Sequence, residues 1–161
     1  MMKGIFASLV STAFLLGLTG DARWSATLQA QNGSKVSGTA VVEAHGADST
    51  RFSVSIRGAT PEATLKWHMH TGKCSEAGSI VGTESSYPEL RPGSGGTAES
   101  MVVLPVAPPS SGAFSIQVHR TEMGGSPKGS DGAAANTSAG AMGGSKATVA
   151  CGELKPLGAN P

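Results

Sequence analysis

The chain has 161 residues, a formal net charge of +1 and 14% charged residues. A charge this close to zero gives no indication of a surface for nucleic acid or for an anionic membrane, so neither is expected as a partner. The 23 glycines and the low content of charged residues favour many turns and short strands over helices. These properties indicate a β-rich domain.

The N-terminal residues have the pattern of an export signal. Lys3 supplies a positive charge, residues 5–18 form an apolar stretch, and residues 20–22 suit a cleavage site. The stretch is shorter than the roughly 20 residues that span a membrane. Residues 1–22 are therefore interpreted as a signal peptide, with a buried N-terminal helix as the alternative. Residues 23–161 then form one domain, exported to the periplasm or the extracellular space without membrane attachment.

Short segments with strand-like patterns follow one another along the rest of the chain. The predicted strands are 26–31, 35–44, 50–57, 64–71, 97–104, 113–120 and 147–154, with a weaker one within 80–90. Turn-forming pairs such as Asn32-Gly33 and Pro92-Gly93 separate them, and no segment shows a sustained helical period. This pattern predicts an all-β sandwich or barrel.

Two stretches, 72–96 and 121–146, carry no strand pattern, and each follows a segment that bears histidine. The second contains a low-complexity part at 129–144, dominated by glycine, alanine and serine. Loops this long in a compact domain are usually functional or disordered. We expect them either to cover a site beside the histidines or to be mobile, and mobility is favoured for 129–144.

Three of the four histidines lie in two predicted strands, and their neighbours show which way they point. Side chains two residues apart on a strand share a face. The apolar faces carry Leu65, Trp67 and Met69 in one strand and Phe114, Ile116 and Val118 in the other. Because these faces must be buried, His68, His70 and His119 are predicted to point outward. They form a candidate metal site on the outer wall, with solvated surface histidines as the alternative.

The only two cysteines, Cys74 and Cys151, are expected to pair because disulfides persist in exported proteins. The disulfide would close a loop of 77 residues. In the chain-entropy model this closure stabilises the folded state by roughly 4 kcal/mol, before native strain is subtracted. The alternative, metal binding by two thiolates, is disfavoured by the predicted export.

These residues resemble the copper,zinc superoxide dismutases over roughly residues 26–154. His68-Met69-His70 resembles the family's His-x-His copper pair at the end of the fourth strand, and Val118-His119 resembles its third copper-ligand segment. Cys74 and Cys151 resemble its disulfide, and the order of the four elements agrees. The resemblance implies an eight-stranded antiparallel Greek-key barrel that holds one copper ion on its outer face and takes superoxide as its substrate.

The chain also departs from that family. No histidine lies between His70 and His119, where the family has its bridging and zinc-binding histidines, and Thr83 stands near the position of its zinc aspartate. A zinc site of the family type is therefore not expected. Thr148 takes the place of the arginine that guides superoxide, three residues before the second cysteine. Lys146 is the nearest cation and the candidate anion guide, and Lys128 lies in the preceding loop.

Three functions remain open from the sequence. The first is a copper-dependent dismutase, slower than the family because no bridging histidine delivers a proton. The second is an extracytoplasmic copper carrier or buffer, to which Met123 and Met142 could add sulfur ligands for Cu(I). The third is a non-catalytic structural barrel.

His45, which precedes a turn, is interpreted as a surface residue and Met69 as part of the core. The sequence assigns no oligomeric state.

Overall fold

The computed structural model describes residues 22–121 and 147–157, and this part of the chain is all-β. Nine strands are present: β1 Arg23–Ala30, β2 Ser37–Ala44, β3 Thr50–Arg57, β4 Leu65–Lys73, β5 Glu76–Ile80, β6 Ala98–Leu104, β7 Phe114–Arg120, β8 Thr148–Glu153 and β9 Lys155–Leu157. One short 3₁₀ helix, Glu84–Ser86, lies between β5 and β6. The described part contains no helix long and apolar enough to cross a membrane.

All strand pairs are antiparallel, and they form a curled sheet in the order β5-β4-β7-β8-β1-β2-β3-β6. The short β9 pairs with β1 beside β8. β3 and β4 follow one another in the chain but lie far apart in the sheet, and so do β6 and β7. These crossing connections are typical of Greek-key sandwiches and barrels, which confirms the predicted fold class.

The hydrophobic core lies on the concave side of the sheet and is built from alternate strand positions. In β3, for example, Phe52, Val54 and Ile56 are buried and the residues between them are partly exposed. Trp67 and Phe52 are the largest of the fully buried side chains in the described part. Burying an apolar side chain of this size stabilises the fold by about 1.5–3 kcal/mol.

The stretch 72–96 differs from the prediction, because it contains β5 and the 3₁₀ helix. β5 has no buried face, since four of its five residues are exposed, and so it lacks the alternation that reveals a strand. The weaker strand predicted within 80–90 is wrong. Residues 81–90 instead run as a loop along the edge of β4, where Val81 N–H donates to the Met69 carbonyl and Leu90 exchanges two hydrogen bonds with Leu65.

The predicted strand 147–154 corresponds to β8, and a further short strand that was not predicted, β9, follows it and pairs with β1. Several predictions concern residues outside the described part: the signal peptide apart from Ala22, the low-complexity segment, Lys128, Lys146, Met123 and Met142.

Candidate metal centre

The candidate site is built on β4 and β7, which are direct neighbours in the sheet. Their antiparallel register places His68 opposite Gln117, His70 opposite Ser115, and His119 opposite Lys66. The alternate residues of both strands, including Trp67, Met69 and Val118, are buried in the core. The predicted division into an apolar inner face and a histidine-bearing outer face is therefore confirmed for both strands.

The three imidazole rings form a nearly equilateral triangle. The ring centroids are 6.0 Å apart for His68 and His70, 5.5 Å for His68 and His119, and 5.9 Å for His70 and His119. One ring nitrogen from each lies within 4.8 Å of the others. A point no more than about 2.8 Å from all three therefore exists, so shifts of under about 1 Å would reach metal–nitrogen bonds of about 2.0–2.1 Å.

The histidines point away from the core, yet two of them are shielded from solvent. His68 is 1% exposed and His119 is 7% exposed, and His70 is half-buried. The alternative interpretation, solvated surface residues, is therefore wrong for His68 and His119. The cluster lies within a covered part of the outer wall. No other group of three His, Cys, Asp or Glu side chains in residues 22–121 and 147–157 has metal-ligand spacing.

Tyr87 covers one side of the cluster. Its ring lies 5.5 Å from that of His68 and 5.0 Å from that of Trp67, in edge-on geometry. Its hydroxyl donates a 2.6 Å hydrogen bond to the Val81 carbonyl. Burial raises the pKa of Tyr87 to about 12, and a backbone hydrogen bond with Met69 opposes part of that rise. This contact was not predicted from the sequence, because Tyr87 belongs to the loop along β4 and has no strand pattern around it.

One backbone contact selects the tautomer of the neutral His70 ring. Its Nδ1 lies 3.0 Å from the Gly78 carbonyl in β5. A carbonyl can only accept, so Nδ1 carries the proton and the Nε2 lone pair is left over. That Nε2 is buried and has no hydrogen-bond partner among the described residues. A buried nitrogen lone pair beside two other imidazoles fits a metal ion, which would satisfy it.

His119 contacts a hydroxyl in the neighbouring strand. Thr148 Oγ1 lies 3.4 Å from His119 Nδ1 and 3.4 Å from Gln117 Oε1. Thr148 drew attention in the sequence only as the residue that replaces an arginine. Its contact with a candidate ligand depends on the register of β8 and was not predicted.

The predicted disulfide between Cys74 and Cys151 is present, with the two Cα atoms 5.9 Å apart. Cys151 pairs with Gln117 in the sheet, and Gln117 in turn pairs with His68. The bond therefore joins the chain just after β4 to β8, across the intervening β7. It lies on the same face of the sheet as the histidines, close to Gln117.

The cation that the structure places beside the site is Lys66, which was not predicted for this role. Lys66 is the cross-strand partner of His119, and such paired residues have Cβ atoms about 4.5–5.5 Å apart. Its ammonium forms a 3.2 Å ion pair with Glu84. Lys146, the cation expected from the sequence, lies outside the described residues. His45 is exposed and contacts Arg51 at 3.1 Å, outside the cluster.

No model of a known protein family matches this chain, and no curated protein matches it either. Function must therefore be inferred from the site. Three imidazoles on two adjacent strands, shielded by Tyr87 and flanked by a disulfide, can hold a metal ion.

Proposed function

We propose that this chain is an exported copper protein that holds one copper ion between His68, His70 and His119 and dismutates superoxide there. The observation that carries the proposal is the convergence of the three imidazoles, with one nitrogen of each within 4.8 Å of the others. Imidazole suits copper as well as zinc, iron and nickel, and copper stands highest in the divalent affinity order. The sequence resemblance to the copper,zinc superoxide dismutases favours copper over the other metals.

The residues around the histidines would support this reaction in different ways. Dismutation converts two superoxide ions and two protons into dioxygen and hydrogen peroxide, and copper supplies the reversible one-electron change that it requires. Tyr87 shields His68 on one side and so limits the directions from which a small anion can approach. Lys66 is the cation in the described part that is nearest to His119 in the sheet register, and Lys146 remains a second candidate to attract the anion. Without a bridging histidine, water or another group must deliver the protons, and we expect a slow enzyme.

Export is supported by the disulfide, because such bonds persist in oxidising compartments and are rare in the cytosol. The apolar N-terminal segment with Lys3 is the second argument. The periplasm or the extracellular space fits both.

A copper carrier or buffer is the second candidate, and the burial of the ligands favours it. His68 and His119 are nearly inaccessible, and the charge of Lys66 is offset by Glu84 at 3.2 Å. Both features suit retention of a metal ion better than rapid exchange with an anionic substrate. A carrier would bind copper tightly, show no dismutase activity and transfer the metal to an acceptor protein.

The test compares the purified chain with the triple variant His68→Ala, His70→Ala, His119→Ala, and uses His45→Ala as the matched control. We expect one copper ion per wild-type chain, and dismutase activity above that of free copper at the same concentration. Saturation at 100 times the dissociation constant should add about 2.7 kcal/mol to the free energy of unfolding. His45→Ala should keep the copper, the activity and the stabilisation, and the triple variant should lose all three.

The outcomes separate the candidate functions. Stoichiometric copper without activity would reject the dismutase and leave the carrier. The absence of any copper-dependent rise in melting temperature in the wild type would reject both and leave a structural barrel.

A further inference from the structure

The pairing of β7 with β8 is interrupted beside His119. Val118 pairs with Ala150, but His119 pairs with Thr148, so that Val149 is an extra residue in β8. Such a bulge changes the direction of the side chains next to it. In a regular ladder Val149 would stand opposite His119 on the outer face. The bulge instead places Val149 in the core, where it is 4% exposed, and brings the Thr148 hydroxyl to His119.

The bulge is held by the turn between β1 and β2. The Val149 carbonyl accepts hydrogen bonds from Gln31 N–H at 2.9 Å and from the Ser34 hydroxyl at 2.8 Å. The Asn32 side-chain amide donates to the Thr148 carbonyl at 2.9 Å. The position of Thr148 is therefore set by backbone contacts and not by His119 itself, as expected of a group that orients another.

The direction of the hydrogen bonds follows from the single proton of a hydroxyl. Thr148 donates that proton to Gln117 Oε1. Its oxygen can then only accept from His119, so Nδ1 of His119 carries the proton. In the neutral ring, Nε2 then carries the lone pair that a metal ion could bind, as it does in His70.

We propose that Gln117 and Thr148 form a relay that holds His119 as the Nδ1–H tautomer and aims its Nε2 at the metal site. Thr148 is thus a positioning residue for the site. The relay is a property of the metal-free protein. Its effect on copper affinity rests on the proposed function. Removing a group that orients a metal-binding histidine typically lowers metal affinity about 10- to 100-fold.

The tautomer is tested directly by long-range ¹H–¹⁵N correlation spectra of the neutral His119 ring in the metal-free protein. We expect Nδ1–H in the wild type and in Thr148→Ser, which keeps the hydroxyl. Thr148→Val should lose this preference, and Thr39→Val, an exposed threonine in β2, should not change it. A wild-type ring with its proton on Nε2 would overturn the relay.

Gln117 offers a second pair of variants that leaves the bulge intact, should Thr148→Val fail to fold. Gln117→Glu provides oxygens that only accept, so the Nδ1–H tautomer should persist. Gln117→Leu removes the acceptor and frees the Thr148 proton for His119 Nδ1, which should shift the proton to Nε2. An unchanged tautomer in Gln117→Leu would reject the relay.

Copper titration separates this inference from the proposed function. With Cu(II) as the probe, Thr148→Val should bind at least about 10-fold more weakly than the wild type, with an altered electron paramagnetic resonance spectrum, and Thr148→Ser should restore both. If the wild type binds no copper while the tautomer responds as expected, the proposed function fails and the relay stands. If copper binds equally in all variants, the relay has no role in the site.

Discussion

Two of the three candidate ligands have one ring nitrogen engaged by the protein itself. His70 Nδ1 donates to the Gly78 carbonyl at 3.0 Å, and His119 Nδ1 contacts the Thr148 hydroxyl at 3.4 Å. In His70 this contact leaves a buried Nε2, and in the proposed relay Nε2 is also the ligand atom of His119. A metal ion entering such a site meets rings that are already oriented, so less entropy is lost on binding.

Burial raises the pKa of Tyr87 from its ordinary value of 10.0 to about 12. The folded chain then keeps the phenol proton at a pH where the unfolded chain loses it. The stability that this contributes is fully present below pH 10 and is lost as the pH rises towards about 12. Over that interval the free energy of unfolding should fall more steeply in the wild type than in Tyr87→Phe, as measured by urea denaturation.

Because Tyr87 is the single tyrosine of the chain, its ionisation is visible by itself as tyrosinate absorbance in the near ultraviolet. The folded protein should titrate near pH 12, and the urea-unfolded protein near pH 10. A common midpoint for the two states would show that the Tyr87 ring is not buried against His68 and Trp67.

Among the strands, β8 must lie close to β7 for its Thr148 side chain to contact His119. β8 lies between β7 and β1, and its Gly152 lies close to the β1 backbone. A Cβ atom at this glycine would lie 2.5 Å from the Thr27 carbonyl oxygen and 2.8 Å from its carbon. Only a residue without a side chain allows this approach, because both atoms belong to the backbone and cannot rotate away.

Gly152→Ala should therefore force β8 away from β1 and lower the free energy of unfolding by about 1–3 kcal/mol, the usual cost of overpacking. Gly95→Ala is the matched control, since no atom lies within 4 Å of the Cβ position there. Chemical denaturation measures both. Equal stability of the two variants would mean that β8 does not pack against β1 as described.

On the scale of the whole molecule, one covalent bond joins the histidine-bearing strand β4 to β8. Cys74 and Cys151 are 77 positions apart in the chain, and the bond restricts the backbone that follows His70. Replacing both cysteines by serine should lower the free energy of unfolding by about 2–5 kcal/mol. Copper affinity should fall as well, because the backbone after His70 gains freedom that binding must remove.

A thiol count on the denatured, unreduced protein checks the bond, and two free thiols would contradict it. Copper titration of the double-serine variant measures the effect on the site. Gly38→Ala serves as the comparison, since a Cβ there would overlap the Ser55 backbone in β3, away from the histidines, and should lower stability with the disulfide intact. If both variants lose copper affinity equally, the bond acts only through overall stability and does not orient His70.

Local patterns in the sequence determined the fold class and the composition of the site. Strand side chains alternate with a period of two, so the apolar neighbours of His68, His70 and His119 were enough to predict which way these residues point. The pairing of the two cysteines was likewise predicted without coordinates, from the expected export. β5 was missed for the same reason, because an exposed strand has no alternation to detect.

The surroundings of the three histidines could not be predicted from local sequence patterns. The shielding by Tyr87, the closeness of Lys66 to His119, and the contact between Thr148 and His119 join residues that are distant in the chain. Each depends on strand register, on one loop along β4, or on a bulge of a single residue. If any two paired strands shifted by one residue, every residue in them would face a different cross-strand partner. Local propensity does not specify which register packs best.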